Sequence, residues 1–98
     1  MQKTINNMLY QISYELKNPS ADYTSLFLAI KKLGEWAHPL ETVWFVNTSL
    51  SLSDVSKALV PFIDAITDKI VITETKVNGI GGRASTEFWK WIKNNYDV

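Results

Sequence analysis

Unhindered backbone N–H groups, a helix start and a guanidinium come together at Gly79-Ile80-Gly81-Gly82-Arg83, followed by Ser85 and Thr86. That combination suits a phosphate: glycines let the backbone approach, the helix N-terminus favours negative charge, and arginine adds a charged fork. The stretch is not a Walker loop, because no Gly-Lys-Ser/Thr closes it, and it is not a dinucleotide fingerprint. A plain connector to the last helix is the competing reading. Arg83, Gly81, Gly82 and Ser85 are therefore the expected phosphate group.

Four tryptophans, Trp36, Trp44, Trp89 and Trp91, are many for a chain of this length. Their faces can stack bases, and they serve equally well in packing or at an interface. Trp44 and Trp89, with His38 and Tyr14, are the expected aromatic partners of a ligand. His38 is the only histidine, so no histidine pair and no triad with a second imidazole can form within one chain. It is a lone candidate acid or base, or a structural histidine in a hairpin. Asp22 already has a structural purpose as a helix cap, which competes with any catalytic one.

The bulk composition narrows the classes. Ninety-eight residues with 46% hydrophobic and 12% aromatic side chains make one domain with a compact core. Absence of cysteine removes disulfides, zinc-finger sites and thiolate nucleophiles, and is compatible with a reducing cytoplasm. No apolar run approaches the roughly 18 residues that span a bilayer, and no signal sequence is evident, so the expectation is a soluble, cytoplasmic protein with no membrane partner. Ten basic and ten acidic residues give zero formal charge, which argues against tight duplex DNA binding and leaves a nucleotide or RNA in a limited groove open.

The elements that must position these residues follow from periodicity. Residues 1–7 read as a flexible leader. Met8 to Leu16 alternates Met8, Tyr10, Ile12, Tyr14 and Leu16 against Leu9, Gln11, Ser13 and Glu15, as a central strand does. Tyr23, Leu26, Phe27, Ile30 and Leu33 recur at helical spacing, with Asp22 as cap and Gly34 as stop. Trp36 to Thr48 predicts two strands around Pro39-Leu40-Glu41, the second spanning Thr42 to Thr48, with Pro39 outside the ladder. Ser51 to Ile63 predicts a helix capped by Ser51 or Ser53, with Pro61 kinking it or ending it early. Lys69 to Val77 predicts an edge strand. Residues 78–98 form the glycine loop and a last helix, Thr86 to Asn95, capped by Ser85 or Thr86 and contacting two surfaces.

Together these elements predict an α+β, ferredoxin-like βαββαβ fold with a four-stranded antiparallel sheet, two helices on one face and a C-terminal helix. The sheet's other face must be covered by the C-terminal segment, a second subunit or a ligand, and a second copy is the preferred expectation.

Ile12-Ser13-Tyr14-Glu15-Leu16, a helix ending in Leu33-Gly34, Leu40-Glu41-Thr42-Val43-Trp44-Phe45-Val46, and a helix opened by Leu50-Ser51-Leu52-Ser53-Asp54-Val55 set a pattern. It resembles the small ferredoxin-like CRISPR-associated adaptation subunits. It is closer still to their phage and bacterial relatives labelled SinR-family proteins, where a strand followed by Trp/His-Pro-Leu-Glu and Trp-Phe-Val recurs. The resemblance covers about Leu9 to Thr75. It implies a homodimer, a phage or defence setting, and a metal-binding acid at the end of the first strand of each protomer. The matching position is Glu15, where the family has aspartate after the tyrosine. The added methylene moves the carboxylate in a site where magnesium demands close octahedral geometry.

The preferred expectation is a dimeric binder of a nucleotide or nucleic-acid ligand with little or no catalysis and no cofactor, sequestering a nucleotide signal for example. The alternatives are a magnesium-dependent phosphodiesterase or endoribonuclease using Glu15 across a dimer axis, and a protein-protein interaction module.

Overall fold

A computed structural model describes residues 7–95. Apart from Asn7, the expected leader lies outside the described residues. Strand β1 (Met8–Glu15) takes its shape from the alternation of its side chains, with Tyr10, Ile12 and Tyr14 buried together on one face and Leu9 buried in a separate cluster on the other. The chain continues through α1 (Thr24–Lys31), β2 (Glu35–Leu40), β3 (Val43–Thr48), α2 (Leu52–Leu59), a 3₁₀ turn at Val60–Phe62, β4 (Lys69–Thr75), a second 3₁₀ turn at Val77–Gly79 and α3 (Thr86–Asn95).

The sheet order is β2-β3-β1-β4 with every pair antiparallel, and β1 is central as its two-sided pattern requires. This is the ferredoxin-like arrangement: β3 is inserted between β1 and β2, and β1 between β3 and β4, so each helical crossover spans an intervening strand. The alternation of β4, fading into polar residues, does mark an edge. Among the described residues no helix is long and apolar enough to cross a membrane.

Local chemistry explains the boundaries. Ser51 is the cap of α2, its Oγ accepting from the Asp54 N–H at 3.1 Å, and Asp54 lies in the positively charged first turn. Pro61 falls in the 3₁₀ turn that ends this helix. The start of α1 differs slightly from expectation: Tyr23 holds the cap position, and Asp22 accepts from the Thr24 N–H at 3.0 Å and from its hydroxyl at 2.6 Å. Pro39 lies inside β2 instead of in a turn, yet outside the ladder, because the register shifts between Ala37 and Leu40 on this edge strand. Gly34 is not the left-handed helix stop that its position suggested. Gly82 carries the sole positive φ among the described residues, and Gly34 is needed because a Cβ there would run into the Asn47 carbonyl oxygen of β3.

Two cores result. Between the sheet and α1 and α2, Tyr10, Ile12, Leu26, Ile30, Val46, Val55 and Leu59 are fully buried, each taken from water for about 1.5–3 kcal/mol where the side chain is a large aliphatic one. On the opposite face Leu9, Ala37 and Phe45 meet Phe88 and Ile92 of α3, with Val43, Val77, Ile80, Ala84, Trp89 and Trp91 packed around them. Of the three covers expected for this face, the C-terminal segment is the one in place over part of it. The chain's own C-terminal segment covers its β2 and β3 side, because Phe88 and Ile92 lie one helical turn apart and form an apolar stripe. Toward β4 the face stays open, with Val71 63% exposed.

Candidate functional site

The cover leaves a cleft of about 260 Å³ where the sheet, the glycine loop and the start of α3 converge. Val43, Phe45 and Phe88 contribute apolar surface, and Gln11 and Thr75 supply polar side chains from β1 and β4. Gly79, Gly81, Arg83 and Trp89 also line it, and Arg83 is its sole charged lining residue. Ser85 caps α3, its Oγ accepting from the Phe88 N–H at 3.1 Å, which fixes where the helix begins. Gly82, at φ 127°, turns the backbone between Gly81 and Arg83 without itself lining the cleft.

The expected ligand residues therefore divide between the two faces of the sheet. Arg83, Gly81 and Trp89 meet in the cleft. Tyr14 and Trp44 lie in the core under α1 and α2, only 8% and 2% exposed, so neither offers a face to a ligand. The Trp44 Nε1–H donates to the Tyr14 hydroxyl at 3.0 Å, and that hydroxyl donates to the Glu41 carbonyl at 3.1 Å. Burial pushes the Tyr14 phenol up from its usual range, against the opposing pull of the Trp44 bond. The Trp44 ring is stacked on Phe27, centroids 6.0 Å apart, and on His38 at 3.8 Å and 13°. His38 is exposed, close to the Glu41 carbonyl at 3.1 Å, and borders a second depression shared with Ser85.

Glu15 is exposed at the end of β1, in a shallow depression with Ser13, Tyr14, Lys69, Ile70 and Val71. Its cross-strand partner is Lys69. Among the described residues no group of three histidine, aspartate or glutamate side chains could hold a metal ion. One chain supplies a single carboxylate here, and the expected metal pair takes its second acid from another protomer.

Sequence reading missed the most strongly hydrogen-bonded carboxylate. Asp68, 6% exposed, accepts from the Tyr23 hydroxyl, the Lys17 and Asp64 N–H groups and the Thr67 hydroxyl, at 2.7–3.1 Å. Burial by itself would raise its carboxyl, but these donors outweigh that and hold it down at about 2. Asp64 accepts from the Ile66 and Thr67 N–H groups and from the Asn18 amide, and those backbone bonds lower its carboxyl too. This network joins the loop after β1 to the loop before β4 and is structural. Also missed were Gln11, Leu40, Val43, Phe45, Thr75 and Phe88 of the cleft; the alternation that put Gln11, Val43 and Phe45 on the second sheet face was the available signal.

No family model matches the chain, and no curated protein does. A solved structure of a hypothetical protein from Thermus thermophilus is similar at 20% identity, covering 81% of this chain and 99% of that one, with a TM-score of 0.55. A likeness at that identity speaks to the fold alone.

Proposed function

We propose that this chain binds a nucleotide or short nucleic-acid ligand in the cleft between the sheet and α3. One observation carries the reading: a single cation, Arg83, lines a cleft of mixed apolar and neutral polar surface with Trp89 in its wall. Arginine takes a phosphate through two parallel hydrogen bonds, and an indole face takes a base of any sequence. A ligand that is anionic at one end and flat and apolar at the other matches this lining.

The zero formal charge fits the same reading, since a long duplex would need many phosphate contacts and a nucleotide needs few. The cleft is built from one chain, so binding does not depend on a second copy. Sequestration of a nucleotide signal is the role such a binder fills.

Titration with the four ribonucleoside monophosphates, followed by calorimetry and tryptophan fluorescence, tests the proposal. Saturable binding that weakens about tenfold or more in Arg83→Ala, with an unchanged circular dichroism spectrum, supports it. No binding at millimolar concentration, or equal binding by Arg83→Ala, overturns it.

A further inference from the structure

We propose that the cleft continues into a second subsite across Pro39 and Phe88, and that the two together take a ribodinucleotide; the inference rests on the nucleotide reading above. The second depression, of about 240 Å³, is lined by Ala37, His38, Pro39, Ser85, Glu87, Phe88 and Trp91. Pro39 and Phe88 line both spaces, so the two adjoin along one ridge. Small-molecule sites usually enclose roughly 300–1,000 Å³. Each space alone is short of that range, and the pair lies within it.

Aromatic geometry repeats on the two sides of the ridge. The Phe88 ring centroid is 5.0 Å from Trp89, which walls the first space, and 6.4 Å from Trp91, which walls the second at an interplanar angle of 13°. Each subsite therefore has one half-buried indole in its wall, enough for one base apiece, and the buried Phe88 separates them.

Charge divides the ligand between them. Arg83 lines the first space alone and Glu87 the second alone. A carboxylate repels a phosphate and accepts hydrogen bonds from sugar hydroxyls, as acidic residues do for the ribose of dinucleotides. The linking phosphate therefore goes to Arg83, and the second subsite takes the ribose and base of a neighbouring nucleoside. A 2′-hydroxyl gives Glu87 an additional donor, which selects RNA over DNA.

The test compares adenosine monophosphate, adenylyl-adenosine and its deoxy counterpart on the full chain and on Glu87→Gln. Expected is a dinucleotide affinity at least tenfold above the mononucleotide, with that ratio falling several-fold for the deoxy ligand and for Glu87→Gln. A dinucleotide gain under twofold, while the mononucleotide still binds through Arg83, overturns the second subsite and leaves the cleft reading intact. Absence of binding by all three ligands overturns both. A ratio equal in the wild type and Glu87→Gln overturns the role of Glu87, and with it the proposed division of the ligand.

Discussion

The Tyr23 hydroxyl stands 2.8 and 2.7 Å from the two carboxylate oxygens of Asp68, tying the approach to α1 to the residue before β4. The same hydroxyl accepts from the Asn18 N–H at 3.1 Å, so one phenol closes two loops. Both loops lie at the end of the sheet where β1 finishes and β4 starts.

Stability should therefore follow the Asp68 carboxylate. Its folded value of about 2 lies below the ordinary unfolded value of about 3.9, so ionisation stabilises the fold fully above the upper value. The contribution fades as the pH falls from there toward 2. Thermal melts between pH 7 and pH 2 should show a steeper acid loss for the wild type than for Asp68→Asn. Tyr23→Phe should lower the melting temperature at pH 7 and narrow its gap to wild type at pH 2. Parallel curves for all three proteins would remove the carboxylate from the account.

Trp44 and Trp89 should separate structure from binding. Trp44 is 2% exposed and walled by rings on several sides, so Trp44→Ala is expected to cost about 3–5 kcal/mol in urea unfolding. Trp89→Ala is expected to keep the fold and weaken nucleotide binding roughly tenfold, since stacking on an aromatic side chain is worth about 1–3 kcal/mol per base. The reverse pattern would put the ligand on the helical face of the sheet.

The glycines make unequal demands. Gly82→Ala is expected to cost about 1–3 kcal/mol, because φ at 127° is strained for any residue with a Cβ. Gly81→Ala, with open space around the added methyl, should stay within about 0.5 kcal/mol of wild type. Gly34→Ala should cost about 1–3 kcal/mol or more by pushing β2 away from the Asn47 carbonyl. Denaturant midpoints order the three.

The α2 cap offers a local check. Ser51→Ala should lose about 1 kcal/mol, and Ser53→Ala should lose far less, because only Ser51 accepts from a helical N–H in the first turn. Equal losses would mean that the hydroxyl at position 51 is not the cap.

Legibility was highest where the physical signal is local. The period of two in β1 announced a strand with two working faces, and the helical spacing of Leu26 and Ile30, and of Val55 and Leu59, announced which helix faces are buried. The glycine loop was readable as a connector with an anion-binding option because glycine, arginine and a capping serine act within a few residues. Trp44 was misread: its type says aromatic and large, while its burial depends on Phe27, His38 and Tyr14, which come from three other elements. Asp68 was invisible for the same reason, since its donors Lys17 and Tyr23 lie far away in the chain.

Periodicity, caps and turn residues were enough to set the order of strands and helices and the orientation of each apolar side, because those depend on neighbours a few positions apart. Which sheet face carries the ligand candidates, and whether the chain's own tail covers that face, were settled by tertiary packing. Arg83 and Trp89 share a wall with Gln11 and Phe45 only after Phe88 and Ile92 dock on Leu9 and Ala37. Contacts between such distant segments arise from hydrophobic burial summed over the folded chain, and no local pattern encodes that sum.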